Sequence, residues 1–118
     1  MEIVIDLRNC ADKQSVLLKI GEILMLGGPN GNTPIKLGID GKGWGINWDA
    51  LFDSLSELEN GGIWGSSPKL QFPLTLIFQN YSQFKSNNPK EYEVLVDILE
   101  DVKSFYSQSK KMFEYRFE

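Results

Sequence analysis

The amino-acid sequence predicts an α/β fold in a single domain over residues 1–118, with a small three-stranded parallel sheet packed against helices. Three observations support this prediction. The length of 118 residues suits one domain. The apolar residues follow a period of two in some segments and a helical period in others. The order is strand, helix, helix, strand, helix, strand, and helical connections between short strands favour parallel pairing.

The chain begins with a strand followed by an amphipathic helix. Residues 2–7 alternate between apolar and other positions, and because Val4 is also apolar we expect this strand to be covered on both faces. Apolar residues at helical spacing then predict a helix over residues 13–26. Asp12 or Asn9 is placed to cap it.

A second helix is predicted between two glycine-containing loops, residues 27–45 and 59–71. Asn47 is placed to cap a helix that runs from Trp48 to about Leu58. One stripe of this helix is apolar and is expected to face the core, with Trp48 and Phe52 in it. A second stripe recurs every four residues and is acidic: Asp49, Asp53 and Glu57.

Two further strands and a short helical turn are predicted in the last third of the chain. Residues 72–78 are rich in β-branched and aromatic residues, with Pro73 near the start, where a missing backbone donor is tolerated. Residues 80–86 are expected to form a short helical turn. Residues 112–117 alternate again and predict the last strand.

The longest helix is predicted to begin at Asn88 and to end at about Ser107. Asn88 is a capping residue, proline occupies the first helical position, and Glu91 occupies the third. The exposed acids of this helix are interpreted as a solvated face, with Glu100 kept as a candidate for binding.

The composition excludes several kinds of chemistry. The chain has no histidine, so it cannot form a Ser-His-Asp or Cys-His nucleophile system. Its one cysteine, Cys10, cannot form a disulfide within the chain or a zinc site of His and Cys ligands. Cys10 is interpreted as a small buried hydrophobe, with a reactive thiol as the alternative. We expect no cofactor, no metal, no membrane segment, and a soluble protein in the cytoplasm.

The net charge of −4 is concentrated in one short segment. Residues 43–68 contain four acids and no Lys or Arg, whereas the remainder of the chain is neutral in sum. A solvated helix face and a surface for a basic partner both remain open as explanations. Direct nucleic-acid binding is not expected, because it requires clustered Lys and Arg.

The run from Trp44 to Leu55, Trp-Gly-Ile-Asn-Trp-Asp-Ala-Leu-Phe-Asp-Ser-Leu, resembles a motif of the barstar family, the intracellular inhibitors of barnase-type ribonucleases. The strand at residues 72–78 and the segment Tyr81-Ser82-Gln83-Phe84 are also similar to that family. The resemblance implies a three-stranded parallel sheet with about four helices. It also implies that the second helix and its preceding loop block a ribonuclease active site.

The resemblance implies roles for individual residues. Asp53 would enter the phosphate site of the nuclease, Asp49 would make a flanking contact, and Trp44 would lie at the junction of loop and helix. Glu100 corresponds less closely to a peripheral acid. The predicted partner-binding residues are Asp53, Asp49, Trp44, Asn47, Phe52, Gly45, Glu57 and Glu100. The expected partner is a basic ribonuclease or nuclease toxin, bound by a monomer in a 1:1 complex.

The sequence also departs from the family pattern. Gly43 stands where a second aromatic residue is usual, and the loops at 27–42 and 59–71 are longer than expected, with Trp64 in place of a nearer Trp. These departures predict a partner other than barnase. The sequence leaves two alternatives: an adaptor domain without a nuclease partner, and a hydrolase using paired carboxylates, which is disfavoured because the acids share one open helix face.

Overall fold

The computed structural model describes residues 1–24, 47–56, 58 and 72–118. Within these ranges the elements are β1 (Glu2–Asp6), α1 (Lys13–Leu24), α2 (Trp48–Leu55), β2 (Leu74–Gln79), α3 (Ser82–Asn87), α4 (Pro89–Ser107) and β3 (Phe113–Phe117). The predicted α/β class, the three strands and the four helices are confirmed. The loops predicted at 27–45 and 59–71 lie outside the described residues.

The three strands form one parallel sheet in the order β1-β2-β3. Ile5 pairs with Phe78 of the central strand, and Phe78 pairs with Phe117 of β3. β2 begins directly after Pro73, as predicted for a residue that cannot donate a ladder hydrogen bond. Among the described residues, this order places β1 and β3 at the two edges of the sheet.

The core lies between one face of the sheet and the helices. Ile5, Leu76 and Phe78 are fully buried on that face, and they meet Leu17 of α1 and Leu99 of α4 in one cluster. Cys10 is also buried there, and desolvation raises the pKa of its thiol, which agrees with its interpretation as a small hydrophobe. The burial of these side chains is the main driving force that holds the helices on the sheet.

The expectation that the first strand is covered on both faces is wrong. Val4 is 46% exposed, because it points away from the helices on an edge strand. It lies in one row with Ile77 and Arg116, and only the central Ile77 is buried. The parallel direction of the strands was predicted correctly, whereas the burial of the second face of β1 was not.

The predicted capping residues make side-chain capping hydrogen bonds at α1 and α2 but not at α4. The Asp12 carboxylate accepts a hydrogen bond from the Ser15 backbone N–H at 2.8 Å and so caps α1, whereas Asn9 adopts a left-handed backbone conformation with φ of 66°. Asn47 caps α2 in the same manner. Asn88 makes no side-chain cap at α4, because its amide donates to the Ala11 carbonyl.

α2 ends at Leu55, three residues earlier than predicted. The Ser56 hydroxyl donates to the Phe52 carbonyl, and a serine bonded to the backbone in this way competes with continuation of the helix. The Leu55 carbonyl accepts a hydrogen bond from the buried Tyr106 hydroxyl. This carbonyl is therefore occupied by a partner from α4 at the position where the helix stops.

Candidate functional site: an acidic pocket between α2 and α4

α2 is positioned by its cap and by contacts at both ends. The Asn47 side chain accepts a hydrogen bond from the Ala50 backbone N–H at 2.8 Å, which satisfies one of the donors left free at a helix start. At the other end, Tyr106 of α4 donates to the Leu55 carbonyl. The cap thus marks the start of α2, and the bond from Tyr106 joins its last residue to α4, against which α2 packs.

A pocket of about 360 Å³ lies where α2 packs against α4. α2 contributes two pairs of residues spaced four apart, which a helix presents on neighbouring parts of one surface. α4 contributes two residues spaced three apart. The lining side chains are Trp48, Asp49, Phe52, Asp53, Ile98 and Asp101.

The lining combines half-buried apolar side chains with exposed carboxylates. Trp48, Phe52 and Ile98 are each partly buried against the core, whereas the three aspartates are exposed to solvent. No Lys or Arg is among the described residues that line the pocket. A concave surface with charges of one sign and apolar walls concentrates the electric field and attracts groups of opposite charge.

Trp48 is held by residues from both α1 and α4. Its indole Nε1 donates to the Glu91 carboxylate at 2.5 Å, and the Lys13 ammonium lies 5.9 Å from the centre of the indole ring. Trp48 and Phe52 were predicted to belong mainly to the core. In the structure each packs against the core with one part and lines the pocket with another.

The predicted site residues fall into three groups. Asp49, Phe52 and Asp53 lie together in the pocket, and Asn47 caps the helix that carries them. Glu100 is not among the described residues that line the pocket. Three more, Trp44, Gly45 and Glu57, lie outside the described residues.

The carboxylate of Glu100 has a different contact. It accepts a hydrogen bond from the Tyr115 hydroxyl at 2.7 Å. Burial of the tyrosine, followed by this hydrogen bond, raises the pKa of Tyr115 well above its ordinary value. Glu100 is thus tied to β3 in the structure described.

Asp101 is the acidic pocket residue that sequence reasoning missed. It follows Glu100 directly and lies four residues after Asp97, and together with Glu93 these are four exposed acids on one helix. Only the packing of α4 against α2 selects Asp101 as the one facing Asp49 and Asp53. No sequence signal distinguishes it from its neighbours.

The described residues provide no metal site of the usual composition. Within the ranges 1–24, 47–58 without residue 57, and 72–118, no three His, Cys, Asp or Glu side chains are arranged to hold a metal ion. In the same part of the chain, no helix combines the length and the apolar character needed to cross a bilayer. The pocket instead offers carboxylates to cationic groups beside aromatic rings.

The parallel three-stranded sheet, the four helices and the pocket between α2 and α4 define a small α/β protein with an acidic concave surface. A family model described as Barstar (barnase inhibitor) matches residues 36–118, which is more than half of the chain. The chain therefore belongs to the barstar family, whose members are inhibitors that bind ribonucleases. The match includes α2 and α4, the two helices that form the pocket. A comparison with curated proteins gave no match.

Proposed function

We propose that this protein inhibits a basic ribonuclease by placing α2 and the loop before it in the nuclease active site. The observation that carries the proposal is the pocket in which Asp49, Asp53 and Asp101 come together without a basic residue among its described lining. Membership of a family of ribonuclease inhibitors supports the same function.

A ribonuclease active site is positively charged because it binds phosphate groups. Carboxylates presented by an inhibitor can accept the charge-assisted hydrogen bonds that phosphates would otherwise accept. Asp49 and Asp53 are four residues apart on α2, so their Cβ atoms are about 5–6 Å apart. Their rigid attachment to a capped helix reduces the entropy that is lost when the complex forms.

We assign the central role to Asp53, as the acid that occupies the phosphate site, and a flanking role to Asp49. Asp101 would contact the same partner from α4, and Phe52 would provide apolar contact beside Asp53. We also propose partner contacts for the remaining candidates, which are Trp44 and Gly45, before α2 in the sequence, Asn47 at its start, Glu57, after it in the sequence, and Glu100 at the periphery.

The proposed complex is 1:1 and needs no cofactor. The finer biological role that we propose is that of a cytoplasmic immunity protein in a bacterium, which neutralises either the cell's own ribonuclease or a toxin delivered by a competitor. Expression of the chain together with its neighbouring reading frames tests this role. Co-purification of a basic nuclease is the expected result, and failure to bind any ribonuclease would favour the adaptor alternative.

The site is tested by Asp53→Ala in an inhibition assay against a panel of basic microbial ribonucleases, including barnase and any nuclease encoded nearby. We expect the Kd to rise at least about 100-fold, because a carboxylate that accepts several charged hydrogen bonds is lost. Asp97→Ala is the matched control, since it removes the same charge from an exposed position of α4 outside the pocket lining.

The salt dependence of binding is a second measurement on the same proteins. Association should slow at least about tenfold between 0.05 and 0.5 M NaCl, because salt screens the attraction between exposed charges. Full inhibition by the folded Asp53→Ala protein would contradict the assignment of the site. A salt-independent association rate would contradict electrostatic attraction as the basis of recognition.

A further inference from the structure

The Trp48 indole is joined by a hydrogen bond to a residue that does not line the pocket. Its donor Nε1 lies 2.5 Å from Glu91 Oε2, and the two residues are 43 positions apart in sequence. Glu91 is in the first turn of α4 and is partly buried. The Lys13 ammonium lies over the same indole ring. The first turns of α1, α2 and α4 therefore meet at Trp48.

The position of Glu91 would normally suggest a role in capping its own helix. A Glu at the third helical position can accept a hydrogen bond from the backbone N–H of the capping residue. Here that donor is the Asn88 N–H, which already donates to the Phe84 carbonyl at 2.8 Å. The Asn88 side chain is also engaged elsewhere, with Ala11. The Glu91 carboxylate is thus available for the bond to Trp48.

We propose that Glu91 is a positioning residue for the acidic pocket: its carboxylate holds the Trp48 indole in the orientation that makes the ring a pocket wall beside Asp49. This inference rests on the proposed function. Trp48 is the first residue of α2 and is only partly buried, so packing alone leaves its ring some freedom. The hydrogen bond removes that freedom before the partner binds.

The consequence for binding is preorganisation of the surface. A side chain that is already ordered in the free inhibitor loses less entropy in the complex. Among variants of one interface, differences in affinity arise mostly in the dissociation rate. The loss of the Glu91 contact is therefore expected to speed dissociation, while association, which depends on the overall charge, changes little.

The test compares Glu91→Ala, Glu91→Gln and Glu93→Ala. Glu91→Gln keeps a side-chain acceptor for the indole N–H. Glu93→Ala removes the same charge from an exposed position two residues further along α4, where the glutamate carboxylate makes no hydrogen bond or ion pair with the described part of the chain. The probe is the panel ribonuclease that the unmodified chain inhibits most tightly.

Two quantities are measured for each variant. The first is the NMR signal of the Trp48 indole N–H in the free protein, assigned by its loss in Trp48→Phe. In Glu91→Ala its exchange with water should accelerate at least about tenfold. The second is the dissociation rate, which should rise about fivefold to tenfold in Glu91→Ala relative to Glu93→Ala, and less than about threefold in Glu91→Gln.

A double substitution keeps the test decisive if Glu91→Ala also lowers stability. Trp48→Phe retains an aromatic ring but lacks the donor, so adding Glu91→Ala to it should cause no further rise in the dissociation rate. A dissociation rate of Glu91→Ala equal to that of Glu93→Ala would overturn the positioning role while leaving the inhibitor function intact. If the unmodified chain inhibits no ribonuclease, the proposed function fails and the inference fails with it.

Discussion

Replacing Asp53 by Asn should stabilise the free protein, although the same change should weaken inhibition. Asp53 lies in the last turn of α2, which contains no basic residue. The carbonyl end of a helix disfavours a negative charge by about 0.3–1 kcal/mol. Asp49, one turn earlier, adds a like-charge repulsion of about 0.2–0.5 kcal/mol. Asp101 of α4 lines the same pocket and contributes in the same direction.

The expected gain is about 0.5–1.5 kcal/mol in the free energy of unfolding. For a chain of 118 residues, the entropy of unfolding at the midpoint is about 0.25 kcal/mol/K, so the Tm should rise by about 2–6 °C. Asp and Asn have similar helix propensities, so the comparison isolates the charge. Thermal unfolding followed by circular dichroism at pH 7 measures the shift.

Asp49→Asn is the matched control. Asp49 lies in the first turn, where the helix start favours a carboxylate, so relief of repulsion is offset and the Tm should change by less than about 2 °C. In 1 M NaCl the gain of Asp53→Asn should fall by more than half. A lower Tm for Asp53→Asn, or a rise in Tm that is the same in 1 M NaCl, would refute the view that Asp53 destabilises the free protein through its charge.

Three further predictions concern stability and reactivity. Tyr106→Phe removes the hydrogen bond to the buried Leu55 carbonyl and should lower the free energy of unfolding by about 1–3 kcal/mol, measured by thermal unfolding. Tyr115→Phe removes an exposed hydrogen bond to Glu100 and should lower it by less than about 1 kcal/mol. Equal losses in the two variants would contradict the role of burial. Because the pKa of Tyr115 is raised in the folded state, the contribution of Tyr115 to stability is fully present below the ordinary tyrosine pKa of 10.0 and is lost as the pH rises above it. The free energy of unfolding should therefore fall more steeply with rising alkaline pH in the unmodified chain than in Tyr115→Phe. Identical slopes would contradict this prediction. Cys10 is buried and the pKa of its thiol is raised. An aromatic disulfide reagent at pH 8 should therefore modify Cys10 at least about tenfold more slowly in the folded protein than in urea. Equal rates would show that the thiol is accessible.

Local signals in the sequence predicted most of the secondary structure. Asp12 and Asn47 cap α1 and α2 as predicted, because capping depends on contacts only three residues apart. The parallel sheet followed from helices that connect short strands. The pairing of Asp49 and Asp53 on one surface followed from their spacing of four along a helix.

Several features that the sequence did not predict depend on contacts between distant residues. α2 ends early where Tyr106, 51 positions away, occupies the Leu55 carbonyl. The Asn88 side chain makes no capping hydrogen bond at α4 and instead donates to the carbonyl of Ala11, 77 positions away. The exposure of Val4 depends on which face of the sheet the helices cover. The pattern of residue types along the chain does not identify these distant partners.

The candidate site shows the same division. The sequence by itself determined a short helix that is capped by Asn47 and carries Asp49 and Asp53 on one face, because capping and helical spacing are local properties. Only the tertiary structure decided that Asp101 joins them and that Glu91 holds Trp48 beside them. These two choices depend on how α4 packs against α2, and that packing is set by the shape of the whole core rather than by any local pattern.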